Sequence, residues 1–311
     1  MKKFAMSAIA VAAVLGAGAA NAYTMGTFSN GFVVPNVIHD ATGATTAVGI
    51  INQSAITVPV FWTFFDQESN HVVDGCFTMT AKDYEPFVWS QKSGTGLAGQ
   101  RGYLVFAVGN STAGTCAIGQ TLAASGSGAL IAGNAFFVDP VRKDVAYTPV
   151  IDGPLTIGGS ATDLSTLDAG SLTQVAGAAQ VGASPRFSLR YFIDGVANSG
   201  TNTNIVVWST GDQTGTYTVN MYDAAQNRQS VNFKLDHAEL DWFDPELIAG
   251  RPASFVDGFI DWKLNVGALP TGAPSTGALL GATTGSVFTY SVIDAPAFGA
   301  VQTVLGAHSA N

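Results

Sequence analysis

The stretch Gly102-Tyr103-Leu104-Val105-Phe106 has a counterpart of the same pattern, Gly258-Phe259-Ile260-Asp261-Trp262, that begins 156 positions later. Both stretches start with glycine and continue mainly with the aromatic and β-branched residues that are enriched in β-strands. The recurrence of one strand pattern at this distance suggests that the chain contains the same structural unit twice.

Other identical residues keep nearly the same separation along the two halves of the chain. The separation is 155 for Phe32/Phe187, Ile38/Ile193, Ile50/Ile205 and Asp139/Asp294, 156 for Phe77/Phe233, and 157 for Asp66/Asp223 and Asn70/Asn227. Matches that arose by chance would scatter in separation. The spacing therefore predicts an internal duplication, with one copy in residues 23–150, a second in 185–311, and a linker or crossover segment in 151–184.

Each half has the pattern of a series of short strands. Runs of β-branched and aromatic residues between Gly, Pro, Asn and Asp clusters predict strands at Gly31–His39, Ala47–Asn52, Val58–Phe65, Gly75–Thr80, Gly102–Val108, Ala135–Asp139, Phe187–Ile193, Asn204–Trp208, Gly215–Tyr222, Ser230–Leu235, Gly258–Leu264 and Val287–Val292. Only Leu164–Ala179 suggests a short helix, which its two glycines weaken. We therefore predict an all-β chain of two tandem immunoglobulin-like β-sandwich domains related by internal duplication.

The composition of the chain excludes several classes of function. Of the 311 residues, 47% are hydrophobic and only 11% are charged, and the formal net charge is −9. Proteins that bind nucleic acids, or that dock on anionic membranes, need a clustered basic surface. We therefore expect no nucleic-acid partner and, because no later apolar run is long enough, no membrane span in the mature chain.

Residues 1–22 have the organisation of a secretory signal peptide. Two lysines at positions 2 and 3 are followed by an apolar stretch from Phe4 to about Leu15. Ala20-Asn21-Ala22 then provides the small residues of a cleavage site. Cleavage after Ala22 would place the mature protein outside the cytoplasm, in the periplasm, at the cell surface or in the extracellular space.

The chain contains two cysteines, Cys76 and Cys116. In an exported protein such a pair is more often a disulfide than a metal site or a nucleophile, and their separation fits no zinc pattern. We predict a Cys76–Cys116 disulfide and no metal centre. The motif Gly94–Gly99 precedes a predicted strand instead of following one, so it lacks the context of a nucleotide-binding loop and no cofactor is predicted.

One acidic stretch offers oxygens at alternate positions, as calcium-binding loops do, and its candidate ligands are Asp66, Glu68, Asn70 and Asp74. His71 replaces the glycine that such a loop needs at its sixth position. The second copy keeps only the aspartate and the asparagine, which are the residues that a hairpin turn uses. The pattern favours a turn over a calcium site.

Two aromatic corners lie outside the predicted strands, and both are candidates for ligand or partner contact. They consist of Phe87 with Trp89 and of Trp242 with Phe243. Exposed tryptophans stack on sugars or anchor a protein partner, whereas buried ones cover the end of a sheet. We favour the second interpretation, and carbohydrate binding remains the first alternative.

The segment 236–246 carries five acids around Trp242, namely Asp236, Glu239, Asp241, Asp244 and Glu246. Paired carboxylates beside an aromatic ring are typical of glycoside hydrolases, which makes a secreted hydrolase the second alternative. Acidic residues on an exposed segment are far commoner than a catalytic pair, so we do not expect an enzyme.

Three stretches of the chain resemble exported, β-rich bacterial proteins without an assigned activity, namely Phe61–Phe65, Gly102–Phe106 and Asn134–Pro149. The resemblance implies export and strand structure but carries no site residues. The sequence as a whole predicts an exported, non-enzymatic structural or interaction protein of the cell surface or matrix. Its partner would be another protein, a second copy of the chain or a carbohydrate.

Overall fold

The computed structural model describes residues 26–92, 97–159, 161–194, 200–264 and 284–309. The predicted signal peptide and the first half of the glycine motif Gly94–Gly99 lie outside the described residues. Strands make up 53% of the structure and helices 5%, which confirms the all-β prediction. Every predicted strand overlaps an observed one.

The first half forms two antiparallel sheets. Its strands are β1 (Gly31–Val37), β2 (Thr45–Asn52), β3 (Val58–Asp66), β4 (His71–Met79), β5 (Tyr84–Val88), β6 (Gly102–Val108), β7 (Ile131–Asp139), β8 (Asp144–Thr148) and β9 (Ile151–Asp152). The order β5-β2-β7-β8 defines the first outer sheet, and β4-β3-β6-β1-β9 defines the first inner sheet. A disulfide joins Cys76 on β4 to Cys116 in the loop after β6, as predicted.

The segment between the halves is built from turns and short strands. It contains β10 (Leu155–Ile157), β11 (Leu172–Val175) and β12 (Ala179–Gln180), and β10 pairs with β11. The suggested helix over Leu164–Ala179 is therefore wrong. Asp163 and Asp168 instead accept hydrogen bonds from nearby backbone N–H groups, which stabilises turns in place of a helix.

The second half also forms two antiparallel sheets. Its strands are β13 (Arg186–Phe192), β14 (Asn202–Ser209), β15 (Gly215–Asp223), β16 (Arg228–Leu235), β17 (Leu240–Phe243), β18 (Asp257–Lys263), β19 (Ser286–Ala295), β20 (Ala300–Leu305) and β21 (Ala307–Ser309). The order β12-β19-β14-β17, with β20 also paired to β19, defines the second inner sheet. The order β16-β15-β18-β13-β21 defines the second outer sheet.

The helical segments are short. One α-helical turn spans Trp89–Lys92, and 3-10 turns span Val181–Ala183, Pro245–Leu247 and Pro296–Phe298. Among the described residues, no helix has the length and apolar character needed to cross a bilayer.

Three hydrophobic cores separate four layers of sheet. The first core lies between the sheets of the first half and contains Phe32, Ile50 and Phe106. The second lies between the sheets of the second half and contains Phe187 and Trp262. A third core joins the two inner sheets, and its members include Phe61, Tyr103, Val105, Trp208, Leu240 and Phe288. The halves are therefore packed face to face through apolar side chains.

Candidate functional site

A cleft of about 430 Å³ opens beside the third core and is lined by residues of both halves. The first half contributes residues from the end of β1 and from β7 and β8, such as Asn36, Phe137 and Tyr147. The second half contributes the face of the second inner sheet that carries the third core, including Asn204 and Tyr290. The cleft thus mixes aromatic, amide and charged groups from both halves, which is typical of a small-molecule site.

Arg101 and Trp242 form the central contact of the cleft. The Arg101 guanidinium carbon lies 3.8 Å from the centre of the Trp242 ring, a cation–π arrangement between the halves. Burial lowers the pKa of Arg101, because the charged guanidinium is partly removed from water. Within the described ranges, no hydrogen bond or ion pair reaches the guanidinium.

At the rim of the cleft, an ion pair and a hydrogen bond to a carboxylate join the two halves. Arg142 Nη1 donates to Asp294 Oδ1 at 2.6 Å, and its Nε lies 3.4 Å from Asp139 Oδ2. Nearby, the Val301 N–H donates to Asp144 Oδ2 at 2.7 Å. These contacts hold β8 beside β20 and keep that side of the cleft in place.

The first aromatic corner, Phe87 with Trp89, is buried and therefore cannot serve as an exposed ligand contact. Trp89 and Phe87 have no exposed surface. Trp89 packs on Phe64 with ring centres 4.4 Å apart, inside the first core. These rings cover a sheet end, the alternative that the sequence favoured.

The second corner is divided between core and cleft. Phe243 is 8% exposed and stacks on Phe233 at 4.2 Å. Trp242 lines the cleft, but Arg101 covers its ring at 3.8 Å and His237 stacks 6.2 Å away. Of the four predicted contact residues, only Trp242 lies where a small ligand would reach it.

The candidate calcium residues form a turn. Asp66 Oδ1 accepts hydrogen bonds from the backbone N–H groups of Glu68 and Asn70, each at 2.9 Å. Glu68 contacts His237, and Asp74 lies 3.2 Å from His71. The described residues contain no cluster of three or more His, Cys, Asp or Glu side chains suited to a metal ion.

Two of the five acids around Trp242 hold the local backbone in place. Asp241 Oδ2 accepts the N–H of Asp236 at 2.5 Å, and Asp244 Oδ1 caps a 3-10 turn through the N–H of Glu246 at 2.7 Å. Asp236 pairs with Lys234. The cluster therefore serves structure, and no described contact sets two of its carboxylates against one another.

Glu239 is the exception, because it is buried between the two halves. Its Oε2 accepts a hydrogen bond from the Tyr103 hydroxyl at 2.6 Å, and Ser69 Oγ contacts the same hydroxyl. Burial raises the pKa of Glu239 to about 7, which the hydrogen bonds from Ser69 and Tyr103 only partly offset. The side chain is 5% exposed and lies outside the cleft.

This raised pKa predicts a pH-dependent stability. The pKa lies near 4.5 in the unfolded chain and near 7 in the folded one, so Glu239 stabilises the fold below pH 4.5 and this contribution is lost as the pH rises through about 7. The free energy of unfolding should fall by about 3 kcal/mol over this pH range. We expect Glu239→Gln to remove this pH dependence and to be the more stable protein at pH 8, as measured by urea denaturation.

Glu246→Gln is the matched control, because Glu246 belongs to the same acidic segment but is partly exposed. It should follow the wild-type curve. Parallel pH profiles for Glu239→Gln and the wild type would contradict the assignment.

Sequence reasoning missed three cleft residues, Arg101, Asn36 and Tyr290. Arg101 directly precedes the buried strand β6, and an isolated arginine beside a fully apolar run is the one local signal that could have pointed to it. Asn36 and Tyr290 lie within strands and carry no comparable signal.

Comparison with known proteins gives no family model, no curated protein and no solved structure that matches the chain.

Proposed function

We propose that this chain is an exported, non-enzymatic binding protein in which two duplicated immunoglobulin-like sandwiches frame a ligand-binding cleft. The observation that carries the proposal is the cleft of about 430 Å³, lined by polar and aromatic groups from both halves. A site assembled at the junction of two packed units is a common place for small ligands to bind.

The strand order supports the duplication. Counting from the first strand of each half, the order β4-β3-β6-β1-β9 corresponds to β16-β15-β18-β13-β21. Likewise β5-β2-β7-β8 corresponds to β17-β14-β19 followed by β20. Two unrelated sandwiches would have no reason to share both orders.

Matching local contacts support it as well. A Cβ at Gly102 would lie 2.0 Å from the Phe65 carbonyl oxygen, and one at Gly258 would lie 1.8 Å from the Tyr222 carbonyl oxygen. Glycine is required at both positions because the neighbouring strand approaches too closely for a side chain. The two close approaches join equivalent strands, β6 to β3 and β18 to β15.

Export is supported by the signal-like residues 1–22 and by the disulfide, since disulfides persist mainly in oxidising compartments. The location proposed is the periplasm, the cell surface or the extracellular space.

The other proposed activities receive less support. Sugar stacking needs an open aromatic face, yet Trp89 is buried and Arg101 covers the Trp242 ring. The hydrolase alternative needs two accessible facing carboxylates, whereas Asp241 and Asp244 bind backbone N–H groups. Partner binding through a sheet edge is disfavoured at β16, where the polar face presents charged residues that discourage strand addition.

Filling the cleft should abolish binding. Asn204 lies on the face of β14 that is turned toward the first half and lines the cleft, so Asn204→Trp should occlude the cleft. We expect D-glucose, D-glucuronate or L-lysine to shift the indole N–H resonance of Trp242 in the wild type, and Asn204→Trp to remove the shift.

Asn232→Trp is the matched control, because it places the same ring on an exposed position of β16, outside the cleft. It should bind as the wild type does. If none of the three probes moves the Trp242 resonance, the binding function is wrong.

A further inference from the structure

We infer that the cleft binds a small organic monocarboxylate that carries hydroxyl or ammonium groups, with Arg101 as its carboxylate-binding residue. This inference rests on the proposed binding function and names the ligand class of the same cleft.

Arg101 differs from three other arginines of the described residues, each of which has a hydrogen-bond acceptor. Arg186 pairs with Asp261 at 2.5 Å, and Arg251 donates to backbone carbonyl oxygens at 3.0–3.4 Å. Arg142 pairs with Asp294. Arg101 stacks on Trp242 but meets no acceptor within the described ranges, although burial already disfavours its charge.

A guanidinium removed from water without an acceptor is costly, because its N–H groups lose hydration that nothing replaces. A flat carboxylate offers two oxygens with the spacing of the guanidinium fork, and the resulting hydrogen bonds are charge-assisted. Asp241 is the acid that acts on Arg101 through space, but its oxygens accept N–H groups from Asp236, His237 and Trp242. The Arg101 guanidinium, which is partly exposed on the wall of the cleft, is therefore open to an acceptor that a ligand brings.

The charges of the cleft favour a single negative charge over two. Its lining contains Arg101 and Arg142 but also three acids, Asp40, Asp139 and Asp294. A dianion such as phosphate would be repelled by the excess of acids over arginines, whereas a monocarboxylate places its single negative charge beside Arg101. The acids instead suit the donor groups at the other end of the ligand.

Asn36 supports a ligand with donors as well as an anion. Its amide contacts the buried hydroxyl of Tyr290, which lies within the electrostatic influence of Arg101. The Asn36 Oδ1 atom is buried and meets no hydrogen-bond partner among the described residues. A rotation of this amide toward the cleft would let Oδ1 accept from a hydroxyl or ammonium group beside the carboxylate, and the volume of about 430 Å³ accommodates a sugar acid or an amino acid.

Calorimetric titration with D-glucuronate, its neutral amide D-glucuronamide, acetate and inorganic phosphate tests the inference on the full protein. We expect D-glucuronate to bind more tightly than the other three. Arg101→Met keeps an unbranched side chain over Trp242 and should weaken glucuronate binding by at least about tenfold. The affinity of Arg101→Lys for D-glucuronate should fall between those of the wild type and Arg101→Met, since lysine keeps the charge and lacks the flat guanidinium group.

Arg186→Met is the matched control, because that arginine pairs with Asp261 outside the cleft. It should leave glucuronate binding unchanged. The stability of each variant separates a binding role from a purely structural contact between the halves. A structural Arg101 would lower the free energy of unfolding when replaced and leave binding intact.

The outcomes separate the two proposals. The carboxylate inference is overturned if D-glucuronamide binds as tightly as D-glucuronate, or if Arg101→Met binds D-glucuronate as tightly as the wild type does. In either case the proposal of a binding cleft stands. If phosphate binds most tightly of the four probes, the monocarboxylate inference is overturned and the proposal of a binding cleft stands. If none of the four probes binds, the carboxylate inference is overturned, and the binding function is then decided by the resonance shift of Trp242 with D-glucose and L-lysine.

Discussion

Replacing Trp208 by alanine should lower the free energy of unfolding by about 3–5 kcal/mol, the range for removing a large buried aromatic side chain. Trp208 has no exposed surface and belongs to the third core. Its ring lies 5.8 Å from that of Tyr103, across the boundary between the halves. Few single changes in the chain should cost more.

The effect should reach both halves, because the third core joins the two inner sheets. Guanidinium denaturation followed by far-ultraviolet circular dichroism should show one transition for the wild type. In Trp208→Ala we expect the transition to shift and to broaden as the halves uncouple. Phe298→Ala, at a side chain that is 84% exposed, is the control and should change little.

Trp208→Phe refines the test. It removes volume, but it also removes an indole N–H that is buried and meets no hydrogen-bond partner in the described part of the chain. We therefore expect a smaller loss than with alanine. A loss below about 1 kcal/mol for Trp208→Ala would mean that the third core adds little to stability.

A pattern in the sequence that our predictions did not use indicates the third core. The strand Val58–Asp66 is buried along nearly its whole length, and so is Gly102–Val108, as their continuous apolar runs indicate. Strands covered on both faces have such runs, whereas half-exposed strands alternate. The strand Gly215–Asp223, which holds the corresponding place in the strand order of the second half, alternates with polar residues because its sheet faces water on one side. Comparing the two halves therefore identifies which sheet is covered.

Other features were beyond the reach of local patterns. For Trp89 the sequence leaves exposure and burial both open and favours burial, and the structure agrees: Trp89 begins the helical turn after the strand Tyr84–Val88 and packs on Phe64 in the first core. Leu164–Ala179 has helical spacing, but tertiary pairing with Leu155–Ile157 and the turn-forming aspartates prevail. Propensity over a short segment is readily overridden in this way.

The candidate site was predicted in part. Trp242 was singled out, but its meeting with Arg101 depends on how two distant halves pack, which no local spacing encodes. The Cys76–Cys116 disulfide was predictable because only one pairing exists for two cysteines. Chemistry within one segment is thus easier to predict than a site shared between segments.

Removing the disulfide by the double substitution Cys76→Ala and Cys116→Ala should lower the free energy of unfolding by about 4 kcal/mol, from the chain-entropy relation for a loop of this size. The two cysteines are 40 residues apart, and their link constrains the unfolded chain from β4 to the loop after β6. Urea denaturation at equilibrium measures the change.

The folded loop should change much less than the stability does. Ala123 N–H donates to the Val108 carbonyl at 2.8 Å and Asn110 N–H donates to the Thr121 carbonyl at 2.9 Å, so the base of the loop stays paired without the disulfide. We expect amide exchange to quicken mainly near Cys116, where the link itself provided the constraint.

The matched control is the wild-type protein under reducing conditions, which should become as unstable as the double variant. The double variant itself should be indifferent to reductant. If reduction of the wild type changes the free energy of unfolding by less than about 1 kcal/mol, the unfolded chain is already constrained between these positions by residual structure. In that case the third core, which packs against Cys76, must account for the order of this edge of the first inner sheet.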